Sequence, residues 1–206
     1  MKIIDPENWP RREAFAHFSR ADYPFYSVVV PLDVTALLAR TRREGLSFYY
    51  AMIWLCTAAV NAVPAFRQRV RGDQVVELEH TEPSFTDLHK GAEQFHIVTL
   101  PWEADLREFC CHAAEKSAAQ RCFLAHDDET DGLIYFSCLP WFDFTALTNE
   151  HLLDRDDTVP RLTWGRYCEE NGRVRLHLSI EVNHRLIDGL HIGRLCAEIE
   201  RRIAEM

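Results

Sequence analysis

The sequence contains no CxxC pair, and its seven cysteines (Cys56, Cys110, Cys111, Cys122, Cys138, Cys168 and Cys196) are odd in number. Neither a disulfide framework nor a zinc finger is expected from them. Cys110 and Cys111 adjoin in a stretch that reads as helix, so their side chains diverge. Reduced, mostly buried thiols in a cytoplasmic protein are expected instead. Glycine is scarce, at 8 residues of 206, and no Gly-rich loop follows a strand, so the GxGxxG type of nucleotide fold is absent. There are no internal repeats, low-complexity segments or Pro/Gly/Ser linkers, which makes a single domain over 1–206 the simplest organisation. The opening residues, MKIIDPENW, lack the apolar stretch of a secretory signal. The longest apolar run, around Tyr49 to Val63, falls short of a membrane span and reads as a core helix, so no membrane partner is expected. Positive charge is in deficit: the formal net charge is −9, which repels phosphate backbones and argues against nucleic acid as a partner. An anionic cofactor is still compatible, because a local basic rim can sit on an acidic protein.

What is present is ordinary for a globular chain: 47% hydrophobic and 27% charged residues, enough to build a substantial core. Trp9 to Phe18 predicts a short helix with Pro10 in its first turn. Phe25 to Val30 predicts a strand. Asp33 to Glu44 predicts a helix with Leu37, Leu38 and Arg42 at helical spacing, stopped by Gly45. Ser47 is placed to cap a core helix over Phe48 to Val63, ended by Pro64. Gln74 to Glu79, Ser84 to Leu88 and Phe95 to Leu100 are short strand candidates. Glu103 to Arg121 reads as a helix and Leu133 to Cys138 as a strand. Leu162 to Cys168 and Val174 to Val182 are strands joined through Asn171-Gly172, a hairpin signal. Val174, Leu176, Leu178, Ile180 and Val182 alternate with polar residues, so one face of that strand is buried and the other polar. A helical stripe of Leu190, Leu195, Ile199 and Ile203 follows. The fold class is therefore α/β, an α+β two-layer sandwich whose mixed, largely antiparallel sheet is packed by helices.

The stretch Glu181-Val182-Asn183-His184-Arg185-Leu186-Ile187-Asp188-Gly189 carries the chemistry. A histidine just past the end of a buried strand is rigidly mounted yet free to face a cleft, which suits a general base. Gly189 permits the tight passage from strand to helix. An isolated His-x-x-x-Asp-Gly match is more often structural than catalytic. Its setting here, between an alternating strand and an amphipathic C-terminal helix, resembles the active-site signature of the chloramphenicol acetyltransferase family, also found in dihydrolipoamide acyltransferases. Further segments match that family in order: Trp9-Pro10-Arg11-Arg12-Glu13-Ala14-Phe15; Ser47-Phe48-Tyr49-Tyr50-Ala51-Met52-Ile53; Pro64-Ala65-Phe66-Arg67; Phe85-Thr86 with Phe95; Ser137-Cys138-Leu139-Pro140-Trp141; and Thr163-Trp164-Gly165-Arg166-Tyr167. The resemblance runs over nearly the whole chain.

The resemblance implies an acetyl-CoA-dependent O-acetyltransferase without a metal, acting on a small-molecule hydroxyl acceptor. His184 corresponds to the general base, Ser137 to the oxyanion donor and Thr163 to a threonine that steadies the same intermediate through water. Asp188 and Arg11 correspond to a pair that holds the active-site loop rather than to a triad member. Arg166, Tyr167 and Trp141 fall on the cofactor side, and Phe18, Phe25, Phe95 and Leu147 on the acceptor pocket. A homotrimer with active sites between subunits is implied as well. The departures gather on the acceptor side. Asn183 replaces a first, non-catalytic histidine and Phe18 a frequent tyrosine; Leu147, Thr148 and Asn149 replace an aromatic-rich segment, and Ser84 a frequent glutamine. Acetyl transfer to a hydroxyl is therefore better supported than chloramphenicol as the acceptor. Three rival readings stay open: a metal site from His184, Asp188 and His191 on one helical face, a non-catalytic binding module of the same fold, and acyl transfer to another acceptor, including a carrier-bound thiol.

Overall fold

The computed structural model describes residues 1–125, 130–152 and 154–206. Among the described residues, five α-helices and ten strands are set by familiar local rules. The apolar helix α3 (Phe48–Ala62) starts where Ser47 Oγ accepts from the Tyr50 amide and stops ahead of Pro64. Helix α2 (Thr35–Glu44) ends at Gly45 in the left-handed conformation, φ 68°. Helix α4 (Leu106–Ala119) is capped by Asp105, and α5 (Gly189–Ala204) by Asp188. The short α1 (Arg12–Phe18) lies near the N-terminus.

A seven-stranded sheet runs β2 (Phe25–Asp33), β10 (Arg173–Asn183), β8 (Arg161–Gly165), β7 (Leu133–Leu139), β5 (Glu82–Asp87), β6 (His96–Thr99), with β9 (Cys168–Glu170) also paired to β10. The β8–β7 and β7–β5 pairs are parallel and the others antiparallel. The expected mixed, largely antiparallel sheet is thus present. A small antiparallel sheet of β1 (Lys2–Ile3), β4 (Gln74–Glu77) and β3 (Gln68–Arg71) stands beside it; β1 and β3 carry no clear alternation and the sequence does not announce them.

Leu176, Leu178, Ile180 and Val182 of β10 join Leu162, Trp164, Ile134, Phe136, Phe85 and Val98 in one buried cluster with α2, α3, α4 and α5. The alternate residues make the opposite face polar, and much of it is also buried: Ser179 0%, Glu181 2%, Asn183 3%, Thr163 3% and Ser84 1% exposed. Residues 141–152 and 154–157 cross this face as a strap. Outward-facing β10 side chains hold it like rungs. His177 pairs with Asp143 at 2.9 Å, Glu181 accepts from the Asn149 amide at 3.0 Å, and Asn183 Nδ2 donates to Arg155 and Asp157 carbonyls at 2.9 and 3.0 Å.

Several local expectations are corrected. The single strand Leu162 to Cys168 is two, β8 and β9, because the Arg166 amide turns away to the Phe142 carbonyl at 2.9 Å. Asn171 (φ 51°) and Gly172 (φ 74°) form the expected turn, joining β9 to β10. Thr41 rather than Arg42 is the buried third residue of α2. Leu190 is exposed in the first turn of α5, and Ile192 takes its place in the buried stripe. Helix α1 begins at Arg12, not Trp9.

Gly165 ends β8 where a Cβ would stand 3.0 Å from the Phe142 carbonyl and 3.2 Å from Asp143 Cα. Gly165→Ala is expected to lower the unfolding free energy by about 1–3 kcal/mol, since backbone rather than a flexible side chain must give way. Urea denaturation of the variant against wild type measures it, and an unchanged midpoint would mean that the strap yields freely there.

Candidate active site

His184 follows the last residue of β10, and its amide donates to the Pro24 carbonyl at 2.7 Å. Its ring lies between two aromatic rings, Phe18 with centroids 3.8 Å apart and Tyr26 at 4.5 Å. Arg11, at the start of α1, closes the loop from outside. Its Nη2 donates to the His184 carbonyl at 2.7 Å, its Nε to the Arg185 carbonyl at 3.0 Å, and its Nη1 to Asp188 Oδ2. The other Asp188 oxygen accepts from the Leu190 amide at 3.1 Å. Asp188 is therefore engaged with the arginine and the helix cap, which agrees with a loop-holding role rather than a triad role.

Burial, reinforced by the Arg11 guanidinium, holds the His184 imidazole below its ordinary value, with Asp188 pulling the other way. The ring is thus neutral at neutral pH and able to accept a proton. The metal alternative needs His184, Asp188 and His191 on one helix face. Strand β10 runs to Asn183 and α5 begins at Gly189, so that face does not exist. His191 Nδ1 accepts from the Asp188 amide at 3.1 Å, and among the described residues no group of three His, Cys, Asp or Glu side chains is arranged to hold a metal ion.

Ser137 and Thr163 stand elsewhere. They are register partners on β7 and β8, and Thr163 pairs in turn with Ser179 of β10. The Ser137 hydroxyl lies 3.2 Å from Thr86 Oγ1, and Thr163 Oγ1 lies 3.5 Å from Asn149 Oδ1. His184 is five residues beyond Ser179, or about 17 Å along the strand at about 3.3 Å per residue. One chain therefore holds the histidine and the Ser137–Thr163 pair apart.

Of the cofactor-side candidates, Trp141 follows Ser137 by four residues, and Arg166 and Tyr167 follow Thr163 by three and four. Trp141 is 65% exposed, Arg166 is exposed beside it, and Tyr167 is half-buried with its ring edge-on to Phe48. The acceptor-side residues disperse. Phe18 packs on His184, Phe25 stacks on His151 with centroids 4.0 Å apart, and Leu147 is half-buried in the strap. Phe95, 45% exposed, packs on Phe123 beside β6, at the sheet edge opposite β2. Ser84 is buried and accepts from Thr99 Oγ1 at 2.9 Å.

A sequence model of the family described as chloramphenicol acetyltransferase matches residues 1–200. The chain belongs to that family. Chloramphenicol acetyltransferase of Streptomyces acrimycini is 33% identical, over 98% of this chain and 94% of that protein. Chloramphenicol acetyltransferase 2 of Escherichia coli is 32% identical, over 93% and 91%. A solved chloramphenicol acetyltransferase superposes with a TM-score of 0.89 at 26% identity, over 98% of this chain and all of that one. The fold extends to a probable dihydrolipoamide acetyltransferase of Listeria monocytogenes, TM-score 0.67 at 17% identity. The protein is thus an acyltransferase of the chloramphenicol acetyltransferase family, transferring acetyl to a hydroxyl. No described helix is long and apolar enough to cross a membrane.

The sequence reading missed three neighbours of this acetyltransferase's candidate site: Tyr26, Glu181 and His151. Tyr26 shares the aromatic run of Phe25, and Glu181 passes as one polar position among the outward residues of β10. His151 lies in an irregular segment with no local signal at all.

Removing the Arg11 guanidinium takes a positive charge from the imidazole and leaves Asp188 without its arginine partner. Both changes favour the imidazolium, so Arg11→Gln is expected to raise the His184 titration midpoint from its position below 6.5. NMR titration of the ring protons measures it, and a midpoint unmoved or lowered by the substitution contradicts the charge argument.

Proposed function

We propose that the protein is an acetyl-CoA-dependent O-acetyltransferase with chloramphenicol, the substrate named in its relatives, as the first acceptor to test. His184 accepts the proton of the acceptor hydroxyl as its oxygen attacks the thioester carbonyl. Ser137 donates to the resulting oxyanion, and Thr163 supports the same intermediate through water. The C–S bond then breaks, and His184 returns its proton to the leaving thiolate. Acetyl-CoA supplies the activated acyl group as a co-substrate. An exposed indole at Trp141 and an exposed guanidinium at Arg166 fit a ligand with an aromatic base and phosphates. All seven cysteines are free, as suits a reducing cytoplasm, and the mechanism asks none of them to act as nucleophile.

The observation that carries the reading is the neutral, clamped His184 in a chain whose Ser137 and Thr163 stand about 17 Å away along the sheet. A hydrogen bond from Ser137 cannot reach a carbonyl attacked at His184 across that gap. We therefore assign the working site to two copies, with the histidine of one facing the Ser137–Thr163 pair of another, in a homotrimer.

Thiol release from acetyl-CoA with chloramphenicol tests the chemistry. His184→Ala is expected to lose about 10²–10⁴-fold in kcat and Ser137→Ala about 10²–10³-fold. Release that depends on His184 with other hydroxyl compounds but not with chloramphenicol would keep the mechanism and replace the acceptor. Silence over a broad acceptor panel, despite acetyl-CoA binding, would instead support a binding protein.

The shared site has its own test. His184→Ala and Ser137→Ala protomers, each nearly inactive, are mixed and allowed to exchange. After random 1:1 exchange about a quarter of all sites then draw both intact residues, one from each protomer type. Recovered activity near that fraction is expected. None would be recovered if each chain completed its own site.

A further inference from the structure

Among the outward-facing residues of β10, Glu181 joins two acceptor-side features that are otherwise unconnected. Its Oε1 is 2.5 Å from His151 Nε2, with both side chains 2% exposed. Its Oε2 accepts from the Asn149 amide at 3.0 Å. The far face of the His151 arrangement is aromatic: Phe25 stacks on the ring at 4.0 Å and 28°, and Tyr23 meets it edge-on at 5.8 Å. His151 Nδ1 lies 3.5 Å from Asp157 Oδ2, and Asp157 is held by Arg161 at 2.7 Å. On the other branch the Asn149 carboxamide stands beside Thr163, 3.5 Å from its hydroxyl, and Asn149 Nδ2 is buried with no hydrogen-bond partner among the described residues. A buried donor without a partner is costly, and such positions are retained where a ligand or a water completes them.

We propose that Glu181 is the positioning residue of the acceptor pocket. One buried carboxylate sets the Phe25 wall through His151, and sets the Asn149 carboxamide beside Thr163 through the Asn149 backbone. The unspent Asn149 Nδ2 donor is then available to a polar group of the acceptor. This inference rests on the reading of Thr163 as part of the transfer site. It adds that acceptor affinity and acetyl-CoA affinity are set by separate parts of the chain. The strap segment around Asn149 hangs from Glu181, whereas Trp141 and Arg166 are tied through the Phe142 carbonyl to the end of β8.

Steady-state kinetics with chloramphenicol and acetyl-CoA test the proposal on three variants. Glu181→Leu leaves the His151 and Asn149 donors unanswered, and is expected to raise the acceptor KM about tenfold while the acetyl-CoA KM stays within about twofold. Glu181→Gln keeps the length and one carbonyl oxygen, and is expected to bring the acceptor KM back to within about threefold of wild type. Asn149→Ala is expected to raise the acceptor KM about fivefold, again without moving that of acetyl-CoA. A purely structural role would lower Tm or kcat with no split between the two KM values, and that result overturns the proposal.

A second measurement needs no turnover. The His151 ring protons, lying against Phe25, are expected to be shifted by its ring current in wild type and to relax toward their solvent-exposed positions in Glu181→Leu. Unmoved resonances overturn the proposal whether or not the enzyme accepts chloramphenicol. Wild-type inactivity with chloramphenicol counts instead against the acceptor reading, so the two failures are separable.

Discussion

The period of β10 is the constraint on which the rest of the molecule depends. Eleven residues, Arg173–Asn183, alternate strictly between two chemistries, and a strand turns successive side chains to opposite faces. One set goes under the helices: Leu176, Leu178, Ile180 and Val182 are all nearly fully buried. The other set, His177, Ser179, Glu181 and Asn183, is spent on hydrogen bonds to β2 and to the strap. A slip of one residue in register would send carboxylate and amide into the apolar layer and leucine under the strap. Pairing with β2 over nine residues, from Arg175 opposite Asp33 to Asn183 opposite Phe25, fixes the register against that slip.

A strand so firmly held is also a rigid mount for whatever follows it. His184 is the next residue, and the chain turns at once because the Leu186 and Ile187 amides fold back to the Asn183 carbonyl at 3.1 Å. Arg11 then joins two places 173 residues apart through two backbone carbonyls and one carboxylate. Its planar fork matches that set of acceptors in a way a lysine could not. Arg185 continues the bracing, with its guanidinium 4.7 Å over the Phe15 ring and its Nη1 on the Arg155 carbonyl at 3.0 Å. The same clamp acts on the electrostatics of the imidazole, because the positive charge that positions the loop also favours the neutral ring. Burial is the larger influence on the ring, and the clamp adds to it.

What the sequence disclosed follows from this. The strand face, the C-terminal helix and the capped core helix are periodic or locally signalled, and they are legible with small errors such as Leu190 for Ile192. Arg11 and Asp188 were legible only through resemblance, because no local pattern links residue 11 to residue 188. Strands β1 and β3 are short and owe their pairing to the N-terminal segment and to β4, a tertiary effect that alternation does not encode. The break between β8 and β9 comes from the strap, whose Phe142 carbonyl draws the Arg166 amide out of the ladder. His151 and Glu181 are 30 residues apart, one in an irregular segment and one among several outward polar residues. Their contact exists only once the strap has crossed the sheet.

The strap also accounts for three of the departures from the family pattern. Leu147, Thr148 and Asn149 sit on a segment that contributes no ladder to the main sheet, so side-chain changes there leave the core unaltered. The proposed base, His184, is fixed from a different direction, by Arg11 and the end of β10. The CoA-side candidates hang on β8, where Gly165 leaves no room for a side chain against the Phe142 carbonyl. Three supports hold the three proposed groups, and they share few residues. On the proposed mechanism such an arrangement permits the acceptor to change while proton transfer and oxyanion support persist, because the acceptor-side segment is attached to β10 through side chains alone, chiefly Glu181 and Asn183.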